Sequence, residues 1–155
     1  MILIALGSNL GNREDYLVQA RTVLEMFDVS IRRESSILET PALMPEGAPA
    51  DWNIPYLNQV LRVDTHLAPL DLLSCLKHIE ADLGRKLASR WAPREIDMDI
   101  LAYNDVVMVE DVLTLPHPHM ESRRFVLMPL AEIAPLWLHP IYGKTAAEML
   151  AELLA

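Results

Sequence analysis

The sequence predicts an α+β fold. An antiparallel sheet in β-α-β-β-α-β order carries helices on one face, and a hairpin and C-terminal helices are added to it. Three observations lead there. Ile2 to Leu6 is a short, continuously apolar run, as a central strand requires. Two stretches have apolar residues at helical spacing and each follows a strand pattern: Leu17, Ala20, Leu24 and Phe27, then Leu72, Leu73, Leu76, Ile79 and Leu83. Finally, Ile96, Met98 and Ile100 alternate with Asp97 and Asp99. Residues two apart share one face of a strand, whereas in a helix they would diverge by roughly 200°.

Each element has its own justification. Gly7-Ser8-Asn9 ends the first strand, and Gly11-Asn12 completes a turn in which Asn12 and Asp15 resemble a helix-capping pair. A glycine turn between strand and helix can cradle phosphate, but this one lacks the lysine and glycine spacing of a P-loop and is expected to be structural. Val29 to Thr40 reads as one strand. Pro41 to Pro55 holds prolines at 41, 45, 49 and 55 and is an irregular loop, long enough to suggest a lid. In the next strand, Tyr56 to Thr65, Tyr56 and Asn58 share a face and Leu57, Leu61 and Val63 take the other. Pro69 opens the second helix, with Asp71 in its first turn, and Gly84 stops it. After the Asp97/Asp99 strand, Tyr103-Asn104-Asp105 makes a turn and Val106 to Val109 is expected to pair back as a hairpin. Phe125 to Ala134 is helical with Pro129 within it, and Thr145 with Glu148 forms a capping box for a last short helix. This order is the split-βαβ, ferredoxin-like arrangement.

The chain has 155 residues, one domain's worth, with 52% hydrophobic residues. Its formal net charge is -9 and its pI about 4.9, which argues against a nucleic-acid or membrane-surface binder. The cations are concentrated: Arg85, Lys86, Arg90, Arg94, Arg123 and Arg124 make six of the 13. Local positive potential in an acidic protein points to a small anionic ligand. The single cysteine, Cys75, lies in an apolar helical pattern and fits a reducing compartment. The N-terminal segment reads as a strand without a basic leader, and no apolar run approaches membrane-spanning length, so a cytoplasmic location is expected.

Chemistry concentrates in GRKLASRWAPREIDMDIL, from Gly84 to Leu101. Four cations precede a strand that presents two carboxylates on one face. Cations meet phosphate oxygens, and paired carboxylates hold the metal that bridges them. Mg²⁺ suits the pair, because it takes one or two carboxylates and completes its shell with water and phosphate. A solvated strand face bearing two acids is the plain alternative. His117 and His119 suggest zinc, but no third ligand stands at diagnostic spacing, and a histidine with an arginine on phosphates is more economical. Tyr56 beside Asn58 can hold a flat heterocycle, the ring stacking and the amide reading its edge, although a strand-end tyrosine commonly just packs.

ALGSNLGN, TPAL, YLNQV, GRKLASRWAPREIDMDIL, LPHPHM with Arg123 and Phe125, and MPLAEIAP occur in that order. Together they resemble the 6-hydroxymethyl-7,8-dihydropterin pyrophosphokinases of folate biosynthesis, over essentially the whole chain. The resemblance implies transfer of the β,γ-diphosphoryl group of ATP to the hydroxymethyl oxygen of the pterin, leaving AMP. It implies two Mg²⁺ ions on Asp97 and Asp99. It places the pterin between Tyr56 and Phe125, with Asn58 reading its edge and Thr40, Pro41, Leu43, Trp91 and Asp97 beside it. It brings Arg85 and Arg94 over the phosphates, and puts Lys77, Glu80, Arg90, Trp91, Ile100, Thr114, His117 and Arg123 at nucleotide-contact positions. Catalysis then rests on positioning and charge stabilisation. The resemblance further suggests a monomer whose partners are its two small substrates. The chain would be a single pterin pyrophosphokinase domain, or one domain of a larger folate-pathway polypeptide.

The chain departs from the family pattern at three places. Leu87 stands where a basic residue is expected, Pro118 where an aromatic is expected, and Arg124 where a small residue is common. The Pro41–Pro55 loop is also long. Two other classes fit parts of the pattern: another D-x-D metal-dependent nucleotidyl or phosphoryl transferase, and a ferredoxin-like small-molecule sensing module. The first would need a nucleic-acid track that the acidic pI opposes. The second has no use for metal carboxylates facing arginines.

Overall fold

The computed structural model describes residues 1–42, 44–84 and 92–155. The elements are β1 (Ile2–Ser8), α1 (Arg13–Met26), β2 (Val29–Glu34), β3 (Leu38–Thr40), β4 (Tyr56–Thr65), α2 (Pro69–Asp82), β5 (Asp97–Tyr103), β6 (Met108–Val109), β7 (Thr114–Leu115), α3 (Arg124–Ile133) and α4 (Ala146–Leu154). The main sheet runs β2-β4-β1-β5, with β3 also paired to β4. All of its pairings are antiparallel. α1 carries the chain from β1 past β4 to β2, and α2 carries it from β4 past β1 to β5. This is the expected split-βαβ arrangement.

Local chemistry sets the helix ends. The Asn12 side chain accepts the Asp15 N–H at 3.1 Å, Pro69 occupies the first turn of α2, and Gly84 follows that helix at φ +99. The Thr145/Glu148 capping box of α4 is formed in both directions.

Two segments differ from expectation. Val29 to Thr40 is two strands, because Ser35 takes the chain out of the ladder. The β2–β4 register shifts between Ile31 and Arg33, and Ser35 then binds Val60 through both its hydroxyl and its N–H, each at 2.9 Å. Gln59 Nε2 donates to the Ser35 carbonyl at 2.7 Å and is itself held by Arg21 at 2.6 Å. Pairing resumes at Leu38↔Asn58. The second difference is the hairpin. Met108–Val109 pairs with Thr114–Leu115 in a separate two-stranded sheet instead of folding back on β5. A turn closes from the Val106 N–H to the Tyr103 carbonyl, with Asn104 at φ 53, and leads the chain away. The backbone that reaches β5 from outside is that of His117, whose N–H donates to the Leu101 carbonyl at 2.9 Å.

The sheet is apolar on both faces. Ile2, Ile4, Leu6, Leu57, Leu61, Val63, Met98 and Ile100 meet Leu17, Leu24, Leu72, Leu76 and Ile79 of α1 and α2. The two helices of the repeat therefore share one face. The added helices cover part of the other, where Leu3, Val60, Leu101 and Ala102 meet Val126, Leu127, Leu130 and Met149. They stop short of the end of the sheet that carries Gly7, Asn58, Asp97 and Asp99.

The turn before α4 contains a titratable group. His139 is buried, its ring stacked on Tyr142 at 4.3 Å and edge-on to Trp137 at 5.6 Å. Its Nδ1 accepts the N–H groups of Ile141 and Tyr142, both at 3.2 Å, so the lone pair on that nitrogen must persist. Burial pushes its pKa below the ordinary value, with the Glu121 carboxylate opposing. The unfolded chain therefore takes up the proton first as pH falls. The associated stability is complete above about pH 6.5 and is lost as pH drops towards the depressed folded value. Burial likewise lowers the pKa of His117, which adds to the loss with the same sign. Thermal unfolding should show a Tm that is flat above about pH 7 and declines below about pH 6.5, and His139→Asn should flatten part of that decline.

Candidate functional site

The uncovered end of the second face is a cavity of about 720 Å³. β1 supplies its floor with small residues. Gly7 pairs with Asn58 on one side and Asp97 on the other, and Ala5 pairs with Val60 and Asp99. Small side chains at the centre of the row leave open space between the aromatic-amide side and the carboxylate side. A Cβ added to Gly7 would lie 3.5 Å from Tyr56 Cδ1 and 3.9 Å from Asn58 Oδ1. These are ordinary contacts, so the fold tolerates a side chain there but the cavity loses its floor space. Gly7→Val is expected to keep the Tm within a few degrees and to weaken binding of a flat heterocycle in this cavity roughly tenfold or more; calorimetry and a ligand titration check the two halves.

On the β4 side, the strand start places Tyr56 and Asn58 against the cavity, as strand parity requires. Asn58 Nδ2 donates to the Leu38 carbonyl at 3.0 Å and to Thr40 Oγ1 at 2.8 Å, which fixes the amide plane. Thr40 and Pro41 line the same wall. Phe125 enters from the start of α3, with the Arg123 guanidinium 6.0 Å from its ring centroid.

On the β5 side, Asp97 and Asp99 both line the cavity, in company with Arg94, His117 and Arg123. Arg94 Nη1 lies 3.5 Å from Asp97 Oδ1. The His117 pKa is lowered chiefly by burial and further by Arg123, while a hydrogen bond to the Pro118 carbonyl and the charge of Asp97 oppose this. The Pro118 carbonyl accepts from Nδ1 at 2.9 Å, so the neutral ring carries its proton there and its lone pair on Nε2.

Two aspartates on one strand face offer hard oxygen donors, which suit Mg²⁺. Among the described residues no group of three His, Cys, Asp or Glu side chains converges. A bound ion would therefore take its remaining ligands from water and phosphate oxygens, as Mg²⁺ ordinarily does. His119 is at φ 66 and its carbonyl caps the turn at Met120–Ser122.

The cavity thus gathers Thr40, Pro41, Tyr56, Asn58, Arg94, Asp97, Asp99, His117, Arg123 and Phe125. Lys77, Glu80, Ile100 and Thr114 do not line it. Ile100 points into the first core, on the opposite face from the carboxylates. Glu80 is buried and accepts the Met98 N–H at 3.1 Å, with Lys77 Nζ 3.4 Å away. Thr114 belongs to the small hairpin. Leu43, Arg85, Arg90 and Trp91 lie outside the described residues, as do Lys86 and Leu87.

Sequence reasoning missed two contributors, Gly7 and Asn9. Gly7 forms the floor. Arg124, already counted among the clustered cations, also lines the cavity, with its Nε donating to Met128 Sδ at 2.9 Å. Asn9, read as part of a structural turn, is buried, exchanges hydrogen bonds with the Arg94 backbone at 2.8 and 3.0 Å and donates to the Ile54 carbonyl at 3.2 Å. The signal for Asn9 was its place in the glycine turn, but its partners are 45 and 85 residues away along the chain.

A carboxylate pair beside an arginine, with an aromatic and an amide across the same cavity, suits small-molecule phosphoryl transfer on a ferredoxin-like sheet. The family model for 7,8-dihydro-6-hydroxymethylpterin-pyrophosphokinase matches residues 3–135, and the chain belongs to that family. A 2-amino-4-hydroxy-6-hydroxymethyldihydropteridine pyrophosphokinase of Aquifex aeolicus is 41% identical over 151 residues, covering 97% of this chain and 91% of that protein. A folate synthesis bifunctional protein of Chlamydia trachomatis is 38% identical over 157 aligned positions. There the match covers 97% of this chain but spans only 35% of the relative. Among solved structures, one of an HPPK-DHPS in complex with substrates superposes with a TM-score of 0.74 at 14% identity, over 97% of this chain and 42% of that one, a likeness of fold.

Proposed function

We infer that the chain transfers the β,γ-diphosphoryl group of ATP to the hydroxymethyl oxygen of 6-hydroxymethyl-7,8-dihydropterin in folate biosynthesis, releasing AMP and the pterin diphosphate. Family membership supports the pyrophosphokinase activity. The single structural observation that supports this reading of the chemistry is the row Asn58–Gly7–Asp97, an amide and a carboxylate on either side of one glycine.

In this reading the pterin lies between Tyr56 and Phe125, and Asn58, Thr40 and Pro41 contact its edge. Arg94, His117 and Arg123 meet the phosphates, and so do the arginines at 85 and 90. Asp97 and Asp99 would hold two Mg²⁺ ions, which supply charge neutralisation at the transferring phosphoryl oxygens. The protein orients the hydroxymethyl oxygen in line with the β-phosphorus and surrounds the phosphates with fixed positive charge. His117 is neutral near pH 7 before ATP arrives, because burial disfavours its charged form.

The chain works as one domain in this reading, as a monomer in the cytoplasm. Among the described residues no helix is long and apolar enough to cross a membrane. Product identity tests the reaction. With ATP, Mg²⁺ and hydroxymethyl-dihydropterin, AMP should appear in step with a diphosphorylated pterin. ADP in its place would overturn the transfer, and ATP binding that is independent of Mg²⁺ and without turnover would favour a sensing role.

A further inference from the structure

Arg13 stands at the start of α1, outside the cavity lining, where it was not read as functional. Its Nη1 donates to the Pro55 carbonyl at 2.8 Å and lies 3.2 Å from Glu39 Oε2. These two partners lie on different segments. Glu39 is the middle residue of β3, and Pro55 immediately precedes β4. The β3–β4 ladder ends at Thr40↔Tyr56, and both of those residues line the cavity. One guanidinium therefore ties together the two segments at the open end of the ladder, through Glu39, itself part of the cavity wall, and the residue before Tyr56. Beyond this point the chain leaves for the loop of residues 41–55. The Asn9 side chain also ties this foot of the loop, through the Ile54 carbonyl.

The energetics separate positioning from stability. Glu39 is more than half exposed and Arg13 is partly exposed, so the ion pair adds little to global stability. The hydrogen bond to the Pro55 carbonyl is charge-assisted and directional, so it restrains where β4 begins. A ladder end with few pairs frays easily, and Tyr56 is its last residue.

We propose that Arg13 is a positioning residue for the pterin: by bridging Glu39 and Pro55 it holds Thr40 and Tyr56 at the spacing that grips the ring. The proposal rests on the assignment of Tyr56 and Asn58 to the pterin, so its test carries Asn58→Ala as a reference. In steady-state kinetics, Arg13→Ala should raise the KM for hydroxymethyl-dihydropterin roughly tenfold, leave the Kd for Mg²⁺–ATP within about twofold, and shift the Tm by no more than a few degrees. Glu39→Gln, which keeps the side-chain shape, should raise the pterin KM by a smaller factor. Arg13→Lys should recover part of the loss, since an ammonium can reach one partner but not span both as the planar fork does.

If Asn58→Ala weakens pterin binding while Arg13→Ala leaves the pterin KM unchanged, the positioning role is wrong and the site assignment stands. If neither variant changes it, the site assignment fails and the proposal fails with it. A parallel loss of ATP affinity and Tm in Arg13→Ala, without recovery in Arg13→Lys, would mark a merely structural residue and overturn the proposal.

Discussion

Asp97→Asn or Asp99→Asn is expected to lower turnover on the order of a thousandfold while leaving the protein folded. Both carboxylates line the cavity on one face of β5, and the residues paired with them across the sheet, Gly7 and Ala5, carry almost no side chain. Hard oxygen donors therefore line the cavity, with Arg94 as a cationic neighbour 3.5 Å from Asp97. Two like charges on one strand face repel, and asparagine relieves that repulsion, so the Tm without Mg²⁺ should hold steady or rise. Gain of stability with loss of activity is the signature of a site kept charged for its ligand. The measurement is the rate of AMP formation across a Mg²⁺ titration, with calorimetry of each variant. Near-normal turnover at ordinary Mg²⁺ in either variant would remove that aspartate from the metal assignment. A large drop in Tm would make the loss structural.

The second large effect is at Arg94. Its side chain is paired with Asp97, while its backbone exchanges hydrogen bonds with Asn9. The two roles are separable, because substitution removes the guanidinium and leaves the backbone bonds in place. Arg94→Ala should lower kcat by about a hundredfold to a thousandfold, the scale for removing a fixed donor from developing oxyanion charge. Arg94→Lys should recover only part, since the compact ammonium loses the planar fork that grips two oxygens. The pair with Asp97 is partly exposed, so the Tm should change little. Single-turnover AMP formation at saturating ATP and pterin isolates the chemical step. A rise in ATP KM with kcat unchanged would show that Arg94 binds ground state and transition state equally, which would overturn a catalytic role.

Much of this molecule is written in short-range pattern. Period-two alternation at residues 96–100 placed both aspartates on one face, and the same rule put Tyr56 with Asn58. Apolar spacing and the caps at Asn12, Pro69, Gly84 and Thr145 marked the helices, because capping satisfies backbone groups within a few residues. The order of these elements then sufficed for the split-βαβ sheet. The motifs from ALGSNLGN to MPLAEIAP carried the family, since that chemistry needs particular residue types at particular places.

What local pattern does not contain was decided by the tertiary structure. Ser35 broke a strand because Val60 offered it a donor and an acceptor from another strand. His117 reached β5 because the expected hairpin paired with β7 and left the Leu101 carbonyl available. Gly7 became the cavity floor only through its register with Asn58 and Asp97, and Asn9 and Arg13 became clamps only because Ile54, Pro55 and Glu39 arrive beside them. In each case but that of His117, whose partner Leu101 is 16 residues back, the partner lies tens of residues away along the chain. Periodicity reports which face a side chain takes, whereas what stands opposite it is settled by register and by the helices that pack across the sheet.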